Sequence, residues 1–285
     1  MDRITVKAYA KLNLTLSVLY LRADGYHALD SLMQGIDLYD TVTVEKAPDV
    51  LVTATGMHLP YENAMRRAAE KYRANTGRGA HIRAELRVPG EAGLGGGSAD
   101  AAAVLYGMQA LYDELDGEQL SEIALSIGAD VPFCLHVLQG GSLARAEGVG
   151  ELLTPLSGMP MTFLLLKPKE GVSTKELFSA LPLPRKNPDL SAALRAIGQR
   201  DAAALGGCLG NALEEPAIRR VPAIGKLKMA LLDAGALGAV MTGSGSTVFG
   251  LFAQEAVAEA AREKLSGLAD FCRVCRSLPP QNNRG

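Results

Sequence analysis

Residues 88–105 read V-P-G-E-A-G-L-G-G-G-S-A-D-A-A-A-V-L, and the rest of the chain is organised around this stretch. Gly93 and the three glycines at 95–97 remove side chains from one short segment, so its backbone N–H groups can turn toward a ligand. Ser98 follows where a helix N-cap is expected, and the alanine-rich run 99–111 predicts a helix. A glycine loop leading into a helix N-terminus suits phosphate, because unpaired N–H donors and the positive end of the helix dipole meet there.

Two common phosphate-binding motifs are excluded by the residues around these glycines. No Gly-Lys-Ser/Thr follows them, so the stretch is not a Walker A loop. A dinucleotide fingerprint that begins at Gly93 requires glycine at position 98, where this chain has Ser98. A plain glycine turn capped by serine remains the alternative interpretation for the isolated stretch.

Composition bounds the possible partners. The 285 residues suffice for one large domain or two ordinary ones. Basic and acidic residues nearly cancel, 29 against 31, without a lysine/arginine block, which argues against nucleic acid or an anionic membrane as a partner.

The first residues resemble neither a signal nor a transit peptide, and the apolar runs are too short to span a bilayer. Four cysteines, two of them in a lone C-x-x-C at 272–275, do not form a disulfide or metal framework. We therefore expect a soluble, cytoplasmic protein.

Periodicity predicts the elements in order. Alternation over residues 12–18 predicts a strand with Lys11 and Asn13 on one face, where a lysine is ordinarily solvated. Asp130 is expected to be a cap or turn residue between a helix and a strand, and Ser173 caps the next helix. Further strands are predicted at 41–45, 82–88, 161–166 and 271–278, helices at 63–75, 99–112, 120–127, 175–181, 190–197, 211–219, 223–234 and 256–265, and a strand–turn–strand at 239–252.

The second half of the chain predicts a separate layer. Composition shifts to Gly, Pro and Ser at 155–160, which predicts a boundary between domains 1–157 and 158–285. The element order after it is typical of a split β-α-β, ferredoxin-like arrangement.

Three separated segments together resemble the signature motifs of the GHMP kinases. They are A-Y-A-K-L-N-L at 8–14, residues 89–103, and M-T-G-S-G-S-T-V-F at 241–249. Six further stretches resemble one member of the family, whose substrate carries cytidine diphosphate: residues 24–27 (D-G-Y-H), 33–40, 95–100, 128–133, 148–151 and 172–174. The chain departs from the family pattern at Tyr9, Ala99, Ala212, Thr242 and Ser246, and the stretch 136–139 looks longer than is typical.

The resemblance implies a fold and a reaction. The fold is α+β, with an N-terminal α/β domain that contains a left-handed β-α-β crossover and a C-terminal ferredoxin-like domain. The reaction moves the γ-phosphoryl group of ATP, with Mg²⁺, onto the 2-hydroxyl of a cytidine-diphosphate-linked methylerythritol in the non-mevalonate route to isoprenoid precursors. The implied partners are these small molecules, with no nucleic acid and no membrane, and the implied state is a monomer or weak homodimer.

The resemblance also implies the site residues. Asp130 accepts or orients the substrate hydroxyl proton, and the charge of Lys11 beside it favours an ionised carboxylate. Ser98 reaches a phosphate oxygen or Mg²⁺, while Asp100 is turned away from phosphate or bound through the metal, whose ligands stay unassigned. The implied ATP-binding residues are Pro89, Gly93, Leu94, Gly95, Gly96, Gly97, Ser98 and Asn63. The implied substrate-binding residues are Asn13, Tyr26, His27, Thr174, Gly243, Ser244 and Gly245.

Two other functions are compatible with parts of the sequence. A GHMP kinase for another small alcohol is disfavoured by D-G-Y-H at 24–27, because a cytosine pocket is useless to such substrates. A non-catalytic nucleotide-binding regulator is disfavoured by the presence of both Lys11 and Asp130, since binding alone does not require this pair.

Overall fold

The computed structural model describes residues 1–179, 181 and 189–279. Residue 180, within the helix predicted at 175–181, lies outside the described residues. The chain folds into two compact units, Met1–Lys11, Leu38–Gly90 and Gly95–Gly141 forming the first, and Leu12–Asp37, Glu91–Leu94 and Ser142–Gly285 the second. The predicted boundary between 157 and 158 stays a prediction.

The first unit combines parts of two long strands with four helices. Its elements are β1 (Arg3–Leu21) and β2 (His27–Ala47), both of which also contribute residues to the second unit, then β3 (Val50–Thr55), α1 (Ala64–Thr76), β4 (Gly79–Glu85), α2 (Gly96–Tyr112), α3 (Gly117–Ile127) and α4 (Val131–Leu138). β4 pairs antiparallel with β2 and parallel with β3, so β3, α1 and β4 form a parallel crossover unit. The left hand that the resemblance implies for this crossover stays a prediction.

Local sequence signals set the helix ends of the first unit. The side chain of Asn63 caps α1 by accepting from Arg66 N, and Gly77 ends that helix in the left-handed region. Asp116 and Gln119 form a capping box at the start of α3. The alanine-rich α2 packs closely on the sheet, because a Cβ on Gly107 would lie 2.8 Å from Val44 Cγ2.

The second unit contains the remaining strands and α-helices. They are β5 (Leu143–Gly148), β6 (Leu152–Leu156), β7 (Thr162–Lys167), α5 (Thr174–Ser179), α6 (Leu190–Gly198), α7 (Ala202–Gly206), β8 (Gly210–Asn211), α8 (Glu214–Arg220), α9 (Pro222–Asp233), β9 (Gly238–Met241), β10 (Val248–Phe252), α10 (Glu255–Leu265) and β11 (Phe271–Arg276). β7, β9, β10 and β11 form an antiparallel sheet in the order β11-β7-β10-β9. With α10 between β10 and β11, this is the predicted ferredoxin-like layer.

Three local predictions were wrong. Gly95, not Ser98, is the N-cap residue of α2, because glycine readily adopts the left-handed φ of 73° at the end of the loop. The apolar run after Asp130 forms the helix α4 rather than a strand, and His136 therefore lies in a helix rather than a loop. Asn211 lies in β8, which pairs with β1, so the helix predicted from Asn211 begins at Glu214. Among the described residues, no helix is both long enough and apolar enough to cross a bilayer.

Candidate active site

Lys11 and Asp130 form an ion pair within the first unit. Lys11 Nζ lies 3.3 Å from Asp130 Oδ2, and the lysine side chain is 3% exposed whereas that of the aspartate is 35% exposed. Asp130 directly precedes α4, yet its side chain makes no capping hydrogen bond to that helix. A solvent-accessible carboxylate beside a buried cation can meet a hydroxyl group and accept its proton.

The glycine loop enters α2 beside this pair. A Cβ on Gly95 would lie 3.0 Å from Lys11 Cγ, so this position requires glycine for space as well as for its left-handed φ. A Cβ on Gly128 would lie 3.9 Å from Ser98 Oγ, which places the serine hydroxyl close to the turn that carries Asp130. The first turn of α2 therefore presents its N-terminal N–H groups in the unit that holds the ion pair.

A buried pair of carboxyl groups anchors both sides of the loop. Asp40 Oδ1 accepts hydrogen bonds from the backbone N–H groups of Arg87 and Val88, the latter at 2.8 Å. The side chain of Asp40 also hydrogen-bonds that of Asp100, in the second turn of α2, and both residues are buried. Burial, and then the charge of Asp40, holds the pKa of Asp100 well above its usual range. Asp100 is thus turned into the protein.

This raised pKa predicts a pH-dependent stability difference for Asp100→Asn. The contribution of Asp100 to the wild-type free energy of unfolding is fully present below its unfolded-state pKa and is lost as pH rises through its folded-state pKa. This contribution is about 1.4 kcal/mol per unit of difference between the two pKa values. Asparagine keeps a donor toward Asp40 and cannot ionise, so the variant should gain on the wild type as pH rises. Urea denaturation across a pH series tests this, with Asp2→Asn, an exposed site, as control. A constant difference at all pH values would show that Asp100 is not the group responsible.

The start of the loop packs on the β9–β10 turn within the second unit. Thr242 Oγ1 accepts from the backbone N–H of Asn13 at 3.1 Å and donates to the carbonyl oxygen of Gly93 at 3.3 Å. The backbone N–H of Thr247 donates to the carbonyl oxygen of Ala92 at 3.3 Å. These hydrogen bonds therefore join residues of all three predicted motifs, and Leu94 beside them is buried.

The predicted substrate residues of the second unit fall into two groups. Thr174 Oγ1 lies 2.7 Å from Ser244 Oγ, which links the start of α5 to the glycine turn at 243–245. The ring of His27 lies 5.0 Å from that of Phe178, centroid to centroid, at an interplanar angle of 34°. Tyr26 is 65% exposed. An exposed tyrosine next to a packed imidazole and a phenyl ring can hold a flat, hydrogen-bonding ligand.

Asn63 lies at a pocket but uses its side chain elsewhere. A pocket of about 390 Å³ is lined by Val52, Ala54, Met57, His58, Leu59, Pro60, Tyr61, Asn63 and Arg66. The amide of Asn63 accepts from Arg66 N and donates to the carbonyl oxygens of Pro60 and Tyr61. It therefore shapes the pocket wall. Pro89 follows Val88, where the loop leaves the part anchored by Asp40.

Known proteins resemble the chain over nearly its whole length. The family models "GHMP kinases N terminal domain" and "GHMP kinases C terminal" match residues 63–137 and 191–269. A relative from Alkaliphilus metalliredigens named 4-diphosphocytidyl-2-C-methyl-D-erythritol kinase is 39% identical over 276 residues, 93% of this chain and 94% of the relative. A solved 4-(cytidine 5'-diphospho)-2C-methyl-D-erythritol kinase structure is 36% identical, with a TM-score of 0.82 over 96% of this chain and 99% of the other.

The chain belongs to the 4-diphosphocytidyl-2-C-methyl-D-erythritol kinase family of the GHMP kinases. A homoserine kinase from Cytophaga hutchinsonii, 20% identical with a TM-score of 0.75 over 99% of this chain and 96% of its own, shares the fold. The α+β GHMP fold and the kinase activity predicted from sequence are thereby confirmed. The two family models fall within the predicted domains 1–157 and 158–285, respectively.

In this kinase family member, sequence reasoning missed three residues that contact implied site residues or the glycine segments, each within its own unit. Asp40 lies 60 residues from its partner Asp100, and no local pattern joins them. Phe178 reads as an ordinary apolar position of α5, although it packs on His27. For Asn211, the sequence offers only its place beside Ala212, where the chain departs from the family pattern. In the structure its side chain contacts the β9–β10 turn.

Proposed function

We propose that this chain transfers the γ-phosphoryl group of ATP to the 2-hydroxyl of 4-diphosphocytidyl-2-C-methyl-D-erythritol, in the non-mevalonate route to isoprenoid precursors. The observation that carries the proposal is the Lys11–Asp130 pair, 3.3 Å apart, in a member of this kinase family. The predicted cytoplasmic location and monomeric or weakly dimeric state stay predictions.

Asp130 and Lys11 act on the acceptor hydroxyl. Phosphoryl transfer depends on positioning and on charge neutralisation rather than on covalent help from the protein. The 35% exposed carboxylate of Asp130 accepts the hydroxyl proton, and the buried ammonium group of Lys11 balances the negative charge that builds up as the phosphoryl group moves.

The loop and the first turn of α2 bind the ATP phosphates. Gly95, Gly96, Gly97 and Ser98 present backbone N–H groups and the positive end of the helix dipole. Gly93 packs on the β9–β10 turn, Leu94 is buried, and Pro89 leads into the loop. The pocket at Asn63 suits the adenine ring, because Tyr61 and Met57 line it with apolar surface.

Mg²⁺ fits this site as an ion held largely by the nucleotide. Over residues 1–179, 181 and 189–279, no three His, Cys, Asp or Glu side chains gather into a metal cluster. Mg²⁺ at kinase sites typically takes few protein ligands and is held together with the substrate phosphates. Ser98 would hold the ion, which neutralises phosphate charge when bound, while Asp100 is engaged with Asp40.

The second unit holds the acceptor. Tyr26 stacks on the cytosine ring, with His27 and Phe178 beside it, and the imidazole reads the polar edge of the base. Asn13, Thr174 and the glycine turn at 243–245 bind the diphosphate and methylerythritol portion.

Binding of CDP tests the acceptor assignment by calorimetry. Tyr26→Ala should weaken CDP binding about 5- to 150-fold, since stacking of one base contributes about 1–3 kcal/mol. Binding of a non-hydrolysable ATP analogue should be unchanged. Tyr20→Ala, which removes another exposed tyrosine, is the matched control and should bind CDP as the wild type does. Equal CDP affinity in the two variants, or a wild type that does not bind CDP, would exclude Tyr26 from a cytosine site.

A further inference from the structure

The side chain of Asn211 spans the base of the β9–β10 turn in the second unit. Its Nδ2 donates to the carbonyl oxygen of Met241 at 2.7 Å and to that of Gly243 at 2.8 Å. Its Oδ1 accepts from the backbone N–H of Leu213 at 2.8 Å. Both amide hydrogens and the carbonyl oxygen of one half-buried side chain therefore have partners.

The two carbonyl groups that Asn211 holds flank Thr242. The hydroxyl of Thr242 accepts from Asn13 N and donates to the carbonyl oxygen of Gly93. Holding the backbone on both sides of Thr242 therefore fixes a hydroxyl that joins β1, the glycine turn and the glycine loop. The backbone of Asn211 is itself fixed, because β8 pairs with β1 through Leu16 and Asn211.

The charged side chains of Glu214 and Lys228 stabilise β9 but cannot replace the side-chain amide of Asn211. Glu214 Oε1 accepts from the backbone N–H of Met241 at 2.8 Å, and its other oxygen pairs with Lys228 Nζ. These charged groups face β9 from α8 and α9. The carbonyl oxygens of Met241 and Gly243 need a donor, which a carboxylate at position 211 lacks.

We propose that Asn211 is a positioning residue that sets the geometry of the glycine turn at 243–245 for binding the diphosphate of the acceptor. The inference rests on the proposed function, in which this turn contacts the diphosphate portion of the substrate. Asn211 acts through the backbone of the turn and does not itself touch substrate.

Asn211→Ala and Asn211→Asp test the proposal together. Asn211→Ala removes both donors, so we expect the KM of the cytidine acceptor to rise about tenfold and that of ATP to change less. In Asn211→Asp, an ionised carboxylate is repelled by the carbonyl oxygens of Met241 and Gly243 and by the charge of Glu214. A protonated carboxyl group instead donates a hydrogen bond to one of the two carbonyl oxygens. Its activity relative to wild type should therefore recover as pH falls, while Asn211→Ala keeps the wild-type pH profile.

A second readout is independent of catalysis. Hydrogen exchange of the backbone amides at 242–246 should accelerate in Asn211→Ala and stay unchanged in the control Asn75→Ala, which removes an exposed amide bonded to the carbonyl oxygen of Lys71. Unchanged exchange at the turn, or unchanged KM and kcat in a folded Asn211→Ala enzyme, would overturn the proposal. If the wild type failed to phosphorylate the cytidine acceptor, the proposed function would fail, while faster exchange would still support Asn211 as the residue that fixes the turn.

Discussion

Asp130→Asn is expected to lower kcat about 1000-fold, within the range of about 10²–10⁴ that general-base catalysis contributes. The amide keeps the shape of the carboxyl group but accepts no proton at neutral pH, and it removes the negative charge beside Lys11 Nζ. The fold should persist, because the 35% exposed side chain makes no capping bond to α4. Affinities for CDP and for an ATP analogue should stay within about threefold of wild type, a difference below about 1 kcal/mol.

A matched aspartate separates chemistry from helix capping. Asp116 caps α3 through Gln119 N, and Asp116→Asn should keep both the cap and the turnover. Rapid-quench measurement of a single turnover isolates the chemical step from product release. Near wild-type single-turnover rates in Asp130→Asn would show that the carboxylate is not needed for transfer.

Gly93→Ala is expected to destabilise the protein by about 2–5 kcal/mol and to abolish ATP-dependent activity. The residue has a φ of 71°, which costs an L-residue about 1–2 kcal/mol, and a close backbone contact typically adds about 1–3 kcal/mol. A Cβ there would lie 2.1 Å from the carbonyl oxygen of Thr242 and 2.9 Å from Gly245 N. These are backbone atoms, so the loop or the β9–β10 turn must move.

The same loop supplies the control for this substitution. Apart from its two chain neighbours, no described residue has a heavy atom within 4 Å of a Cβ placed on Gly90, and its φ is not in the left-handed region. Gly90→Ala should therefore leave stability unchanged within about 0.5 kcal/mol. Urea denaturation of both variants, followed by binding of an ATP analogue, measures the difference. Equal stability of the two variants would contradict the packing of Gly93 on the turn.

Local chemistry in the sequence predicts much of this fold. The helix predicted at 63–75 forms over Ala64–Thr76, and Ser173 accepts a hydrogen bond from Glu176 N at the start of α5, as predicted. Both features depend on interactions within a few residues. The glycine loop is also predictable from the sequence, because few structures require clustered glycines directly before an alanine-rich helix.

Long-range packing explains the positions that the pattern does not predict. Alternation in β1 predicts a solvated face for Lys11, yet Lys11 is 3% and Leu12 is 0% exposed, since this strand is covered on both faces. Residues 131–138 are apolar without a clear period, so periodicity does not distinguish helix from strand there. The bonds from Asn211 to Met241 and Gly243 join positions about 30 residues apart, and composition carries no trace of them.

Release of ADP from Mg-ATP with 4-diphosphocytidyl-2-C-methyl-D-erythritol, compared with mevalonate, homoserine and galactose, tests the proposed reaction and its acceptor. We expect turnover with the cytidine compound alone, phosphorylation of its 2-hydroxyl in the recovered product, and loss of that turnover in Asp130→Asn. Turnover with one of the other alcohols instead would keep the fold and the phosphate loop but contradict the acceptor. Absence of turnover with all four, in a protein that still binds ATP, would contradict the kinase assignment and favour a nucleotide-binding regulator.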